Sequence, residues 1–532
     1  MASSVSADGS AVDYRLYLVT DSTPAILGNK DICDVVDRAL RGGVTLVQYR
    51  DKTSDTGHLI STAQRLHELT KKYHVPLLIN DRVDVALAVG CEGVHLGQDD
   101  MTIEKARKLL GKDKIIGITA NTVEEALTAC KQGADYLGVG TIFATQTKKD
   151  TKSVIGTEGL KHTLQVLDDN GFSAVPVVCI GGLNASNVFQ VMFRGSPKGN
   201  PLDGVAVVSA IMAADNPEAA SRHLRDLVVT SDDLNRSADL RSGRSGIESK
   251  ENILDLVPRV IKTVHETKPL SHNMTNLVVQ NFAANVALCV GASPIMANYA
   301  EEAADLAKLG GALVINMGTV TPEGLENYKK ALRAYNAALR PVLLDPVGAG
   351  ATAIRRAAVK DILSAGYIDV IKGNESEIKT VFGSAGGESQ RGVDSSSTLS
   401  LDEKVEIISA LALREQAIVV MTGKTDLVSN GDRVFSIDNG HEYLGMITGT
   451  GCTLGTTISA MVAAWYDEDR LAAVLAGILL FEVAAEMAAQ KGSVEGPGSF
   501  VPAFLDSLYQ LRTATAQGNL SWLAAAKVTV IR

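Results

Sequence analysis

Between residues 14 and 210 the chain alternates short apolar runs with amphipathic stretches eight times. No other feature constrains the fold as much. The apolar runs cover 14–20, 45–50, 76–80, 93–97, 115–119, 136–140, 175–181 and 204–210. Helices are predicted between them, for instance over 103–110 and 123–132, with Asp100 and the pair Asn121-Thr122 as N-caps. Short apolar strands alternating with helices predict a parallel sheet. Eight consecutive units predict a closed (β/α)8 TIM barrel. An open doubly wound sheet is the competing arrangement, but no GxGxxG fingerprint follows the first strand.

The 532 residues exceed one ordinary domain. Residues 231–250 are charged, rich in serine and poor in apolar side chains, which suits a linker. The predicted organisation is a barrel over 1–235, a linker over 236–250 and a second domain over 251–532. In that second part, strands are predicted at 312–318, 341–347, 368–372 and 418–422. An antiparallel edge pair, 427–429 and 434–437, turns at Asn430-Gly431. Alanine-rich helices over 452–465 and 471–490 complete a three-layer α/β/α sandwich with a mixed sheet. Residues 383–400, rich in Gly and Ser, read as a disordered insertion or a mobile lid.

A net charge of −10 argues against nucleic acid or an anionic membrane as the partner. The most apolar helix segment, 472–481, is too short to span a bilayer. The six cysteines are scattered without a CxxC pair, which suits a reducing compartment. Residues 1–10 carry neither an apolar core nor an arginine-rich pattern, so a cytoplasmic location is expected.

In such a barrel the active site lies at the C-terminal strand ends. Gln48, Arg50 and Lys52 follow the second strand with period-two spacing. Asn80 and Asp81 end the third, and Asp100 follows the fourth. Thr119 and Asn121 close the fifth, Gly181 and Gly182 the seventh, and Ser209 the eighth. Beyond the sixth strand, a loop with Thr145, Gln146, Thr147 and Lys148 offers hydroxyls and cations suited to phosphate. Carboxylates beside a phosphate repel it unless a divalent cation intervenes. Asp81 and Asp100 are therefore the expected Mg²⁺ ligands, and Arg50, Lys52 and Lys148 the anion clamp. Taken singly, each is also compatible with a helix cap or a surface ion pair.

These segments, Gln48-Tyr49-Arg50-Asp51-Lys52, Asn80-Asp81, His95 to Asp100, Thr145 to Asp150 and Ile180-Gly181-Gly182, resemble thiamine phosphate synthase over about residues 12–230. The resemblance implies joining hydroxymethylpyrimidine diphosphate to hydroxyethylthiazole phosphate with release of diphosphate. It implies that Gln48, Arg50, Lys52, Asn80, Thr119 and Lys148 hold the pyrimidine diphosphate. Thr145, Gln146, Thr147, Gly182, Val208 and Ser209 would then hold the thiazole phosphate. Two departures stand out. Thr119-Ala120-Asn121-Thr122 replaces the family's common Ser-Ala-His-Thr, and Ala144 replaces a common proline.

In the second domain, Thr448-Gly449-Thr450-Gly451-Cys452 leads into an apolar helix. A glycine-rich turn at a helix N-terminus presents free N–H groups to a phosphoryl group, or is merely an N-cap. Asp345 and Glu377 follow strands and are candidates for a second Mg²⁺. Lys372 and Thr422 are candidates for ATP phosphates. With Thr275 to Phe282 and Gly291 to Met296, these segments resemble hydroxyethylthiazole kinase, of the ribokinase-like fold, over about 253–531. That resemblance places Met296 and Gly449 at the thiazole, Lys372 and Thr422 at ATP, and Cys452 where related kinases carry an aspartate base. The helix N-terminus is expected to lower the Cys452 pKa and nearby phosphates to raise it, and a space-filling role is the alternative. Residues 391–394 also resemble a loop of that family.

Together the halves resemble a fungal bifunctional family in which the kinase product feeds the synthase, with a homo-oligomer built in threes on kinase contacts. A kinase for pyridoxal or hydroxymethylpyrimidine, or a non-catalytic pathway regulator, is the alternative.

Overall fold

The computed structural model describes residues 12–143, 145, 154–196, 201–241, 249–383 and 399–532. The eight apolar runs are parallel strands: β1 (Leu16–Val19), β2 (Leu46–Tyr49), β3 (Leu77–Asn80), β4 (Gly93–Leu96), β5 (Ile115–Ala120), β6 (Tyr136–Gly140), β7 (Val177–Ile180) and β8 (Gly204–Val207). β1 pairs with both β2 and β8, which closes the barrel. Strands buried on both faces read as continuous apolar runs, the pattern seen here. Tyr17, Leu46, Leu78, Ile115, Tyr136, Val178 and Ala206 fill the interior. Glycine at position 117 is forced by that packing: a Cβ there would stand 2.1 Å from the Tyr136 ring.

Two local expectations are corrected. Thr102, not Asp100, occupies the cap of helix Ile103–Leu110, because the Asp100 carboxylate turns back to accept the Gly97 N–H at 2.7 Å. Ser209 does not end a strand; it opens the short helix Ser209–Met212 after Val208 breaks the extended run. Helix Pro217–Arg241 runs into the segment expected to be a linker, since Leu, Ala and Arg there favour helix over coil. The chain divides into compact units over 1–237 and 238–532.

The second unit is built on a nine-stranded sheet. Its strands are β9 (Leu270–Met274), β10 (Ser293–Ile295), β11 (Ala312–Asn316), β12 (Val342–Asp345), β13 (Val370–Asn374), β14 (Ile418–Thr422), β15 (Asp426–Ser429), β16 (Val434–Ile437) and β17 (Val528–Val530). The order is β10-β9-β11-β12-β13-β14-β15-β16-β17, parallel up to β14 and antiparallel beyond it. Alternate residues of each strand join two separate clusters. Leu343, Val370 and Val420 pack toward helices that include Thr450–Ala464, Arg470–Ala489 and Pro497–Ala516. Leu344, Ile371 and Val419 pack toward Pro322–Ala337, Ala353–Ala365 and Leu401–Glu415. This is the expected three-layer sandwich.

β9, β10 and β17 were not expected. β9 reads Leu-Ser-His-Asn-Met, too polar to look like a core strand. It is buried because each polar group is paired: Ser271 with Ser459, His272 with Tyr335 and the Ala297 carbonyl, Asn273 with Thr456. Helix Arg470–Ala489 is the helix expected over 471–490, and over that whole length, beyond the apolar segment 472–481, it is long and apolar enough to cross a membrane. Here 89% of its apolar window is buried inside the protein. The expected insertion or lid lies, over 384–398, outside the described residues.

Candidate active sites

The C-terminal strand ends of the barrel open into a cavity of about 490 Å³. Gln48, Arg50, Asn80, Thr119, Thr145, Gly182, Val208 and Ser209 all line it, as the strand-end reading requires. Gln146, Thr147 and Lys148 lie outside the described residues. Arg50 is held by Asp21, a 3.1 Å ion pair from the end of β1 that no motif had singled out. Asn121, where the family often has His, also lines the cavity and donates to Glu125 at 3.0 Å.

Lys52 pairs with Asp81 at 3.1 Å. Asp81 takes a left-handed backbone (φ 61°), a conformation that Asp tolerates better than most residues. Its N–H bonds the His95 carbonyl, which fixes the turn out of β3. Asp100 faces Asp81, and burial together with that neighbouring carboxylate raises its pKa. Two carboxyls in contact, one disposed to keep its proton, form a site that a divalent cation would relieve. Among the described residues no group of three or more His, Cys, Asp or Glu side chains is arranged to hold a metal. A cation here would need oxygens from its ligand, and Mg²⁺ commonly takes them from phosphates.

In the second unit the parallel strands deliver their ends to one edge of the sheet. Asn316 lies opposite Asp345, and Asn374 opposite Thr422. Lys372, buried, donates to Asp345 Oδ2 at 3.1 Å and to the Gly451 carbonyl at 2.8 Å. That ties β13 to the first turn of helix Thr450–Ala464. Asn316 also donates to Asp345 Oδ2, at 3.1 Å, and receives a bond from Asn276. Asp345 Oδ1 is buried with no hydrogen-bond partner among the described residues. Both Glu377 oxygens are occupied instead, by the Gly348 and Asn374 N–H groups. Burial and the Asp345 charge push Glu377 up to about 7. Of the two acids, Asp345 has the atom open to a cation, and Glu377 braces the loops around it.

Gly449 caps the helix with φ 97°, and a Cβ there would meet Val279 at 2.4 Å. Cys452 sits in the first turn of that helix. Its thiol is pushed up to about 11, chiefly by burial and then by Asp345, with Lys372 opposing. The expected lowering by the helix terminus is corrected: desolvation of the thiolate outweighs it. Asn276 lies 3.7 Å from the sulfur. Met296, half-buried, follows β10.

The residues that motif reading missed are Asp21, Tyr17 and Tyr136 in the barrel and Asn316 in the sheet; His95 and Asn276 lay inside the quoted motifs with no role of their own. The polar residues lying inside apolar strands were the available signal for Tyr17, Tyr136, His95 and Asn316.

A family model described as thiamine monophosphate synthase matches residues 16–211, and one described as the hydroxyethylthiazole kinase family matches 261–514. The chain is 40% identical over 523 residues to a probable thiamine biosynthetic bifunctional enzyme of Schizosaccharomyces pombe, covering 97% of this chain and 98% of that one. It is 37% identical over 529 residues to the thiamine biosynthetic bifunctional enzyme of Saccharomyces cerevisiae, covering 94% and 96% respectively. A hydroxyethylthiazole kinase of Moorella thermoacetica is 43% identical over 248 residues, 47% of this chain and 90% of that protein. With both halves matched in one order along nearly its full length, the chain belongs to the thiamine biosynthetic bifunctional enzymes, an N-terminal thiamine phosphate synthase joined to a C-terminal, ATP-using hydroxyethylthiazole kinase.

Proposed function

We propose that the barrel cavity holds hydroxymethylpyrimidine diphosphate against Gln48, Arg50, Lys52, Asn80, Thr119 and Lys148, and thiazole phosphate against Thr145, Gln146, Thr147, Gly182, Val208 and Ser209. The observation that carries this reading is the meeting of Arg50, Asn80, Thr119 and Ser209 around one cavity; Lys52, Asp81 and Asp100 follow the ends of β2, β3 and β4 without lining it. The bond between the pyrimidine methylene carbon and the diphosphate oxygen breaks, and its electron pair leaves with diphosphate. The thiazole nitrogen supplies the pair for the new C–N bond. Arg50 and Lys52 stabilise the charge that grows on the leaving group. Asp81 and Asp100 would hold Mg²⁺, which neutralises diphosphate when bound.

In the kinase, Met296 and Gly449 flank the thiazole alcohol, and Lys372 and Thr422 contact ATP. Two of the three Lys372 N–H groups are committed to protein oxygens, leaving one for a phosphate. Backbone N–H groups after Gly449 face the transferred phosphoryl group. Asp345, through its unpartnered Oδ1, would hold Mg²⁺, with Glu377 shaping the loop.

Leu277, Val278 and Met446 are large apolar residues exposed on the kinase unit, which supports a homo-oligomer through that unit, a trimer or a multiple of three. Six free cysteines support a cytoplasmic setting. The deciding experiment supplies thiazole alcohol, ATP, pyrimidine diphosphate and Mg²⁺ and looks for thiamine phosphate. Pyridoxal and hydroxymethylpyrimidine serve as competing alcohols, and preference for either would refute the kinase assignment. Asp100→Asn should abolish the synthase step and spare the kinase. Near-normal synthase rates at limiting Mg²⁺ would refute the metal assignment. Light scattering on the kinase fragment tests assembly, and an active monomer would refute it.

A further inference from the structure

A continuous polar chain crosses the barrel beneath the cavity. Gln48 Nε2 donates to the Tyr17 hydroxyl at 2.5 Å, and the Tyr17 and Tyr136 hydroxyls are 2.8 Å apart. The Tyr136 hydroxyl lies 2.7 Å from His95 Nδ1, and His95 Nε2 lies 2.8 Å from Thr119 Oγ1. Five strands contribute: β2, β1, β6, β4 and β5 in that order. Tyr17 and Tyr136 are 1% and 0% exposed. Burying that much polarity is costly unless every group is paired.

One sense of donation gives every proton along the chain an acceptor. Tyr17 accepts from Gln48, so its own proton goes to Tyr136. The Tyr136 proton goes to His95 Nδ1. The neutral imidazole then carries its proton on Nε2 and donates to Thr119 Oγ1. In the opposite sense Tyr17 would accept from both neighbours, and its proton would have no place in the chain. The favoured sense leaves the Thr119 proton free to turn to the cavity. It also leaves the Gln48 carbonyl oxygen free, because the amide nitrogen is the atom tied down.

The barrel makes room for this chain. A Cβ at Gly117 would overlap Tyr136 at 2.1 Å, and one at Gly138 would stand 3.1 Å from His95 Cε1. Two inward positions are thus given up to seat two polar rings.

We infer that Tyr17, Tyr136 and His95 are positioning residues for the synthase reaction, locking the Gln48 amide and the Thr119 hydroxyl in the hydrogen-bonding sense that an aminopyrimidine requires. An aminopyrimidine offers an N–H donor beside ring-nitrogen acceptors. The Gln48 oxygen suits the amino group and the Thr119 proton suits a ring nitrogen. An acceptor on the amino group also helps its lone pair feed the ring as the methylene carbon turns cationic. The relay therefore acts on turnover as well as on binding. The inference rests on the synthase reading of the cavity.

Tyr136→Phe in the full chain is the test, because it removes one hydroxyl and keeps the ring. Its kcat/KM for pyrimidine diphosphate should fall roughly 10- to 100-fold, the range for one buried hydrogen bond, with kcat sharing the loss. The KM for thiazole phosphate and the kinase rate should stay at wild-type values; the melting temperature should fall somewhat, since Tyr17 and His95 lose a buried partner, so rates are compared well below it. Tyr17→Phe should behave alike, and His95→Gln should retain more activity than His95→Ala. Combined with Gln48→Ala, Tyr136→Phe should add no further loss. An unchanged kcat/KM, additive losses, or a loss that follows melting temperature and both KM values would overturn the relay. A wild-type rate for Gln48→Ala would overturn the synthase reading itself, and the relay with it.

Discussion

Lys372→Met separates stability from chemistry in the kinase unit. The lysine ammonium is 3.1 Å from Asp345 Oδ2, and the two side chains keep 4% and 1% of their surface exposed. At an effective dielectric of 20, unit charges at that distance attract by about 5 kcal/mol. Desolvation of both ions offsets most of this, so the intact pair adds little net stability. Removing the lysine alone leaves a buried carboxylate with Asn316 as its remaining side-chain donor, and also removes the lysine's bond to the Gly451 carbonyl. The expected cost is about 3–5 kcal/mol. Neutralising the acid as well, in Lys372→Met/Asp345→Asn, should recover at least half of that loss, although neither variant should phosphorylate the thiazole. Both tryptophans, Trp465 and Trp522, lie in the second unit, so urea unfolding followed by tryptophan fluorescence reports on it selectively. Burial already pushes Asp345 upward, with Lys372 and Asn316 pulling it back. Without the lysine the folded acid holds its proton more tightly than the unfolded one, so stability falls as pH rises and the deficit should shrink toward pH 5. A single variant within about 1 kcal/mol of wild type, or a double variant no better than the single, would refute the reasoning.

Two further outcomes follow. Cys452→Ala should keep kinase turnover within about tenfold of wild type, because a thiol pushed up to about 11 yields little thiolate at neutral pH; a fall of a hundredfold or more, typical of a lost general base, would restore Cys452 to that role. Glu482 and Asp426 are buried together, and burial raises both, Glu482 further through the Asp426 charge. The folded state thus keeps a proton that the unfolded state releases above its ordinary carboxyl pKa, and stability drops as pH rises. Glu482→Gln should raise the melting temperature at pH 8 and change it little at pH 5; equal shifts at both would refute the shared burial.

Most of the barrel was legible because its strands are apolar on both faces, so period and length alone marked them. The strand ends were legible for the same reason: polar residues stand out where an apolar run stops. Legibility failed where polarity lay within a strand. Ser271, His272 and Asn273 hid β9, and their burial depends on Ser459, Tyr335 and Thr456, far away in sequence. Tyr17, Tyr136 and His95 carried no role in the sequence, since their contacts join strands 24 to 119 residues apart. At Cys452 the helix terminus is visible in sequence, and the depth of burial that raises the thiol is not. Asp100 was misplaced by a rule for caps that could not foresee its turn toward Gly97.

Helix Arg470–Ala489 has a consequence for the making of the protein. It leaves the ribosome after Lys250–Thr267 and Thr450–Ala464, two of the helices that cover it, and before Pro497–Ala516, the third. For that interval a bilayer-length apolar rod is wrapped on some sides and bare on another, a state that invites chaperones and self-association. A message truncated between the codons for Ala489 and Pro497 makes the bareness permanent. The last part of the chain holds none of the proposed catalytic residues, yet it completes the cover of that helix.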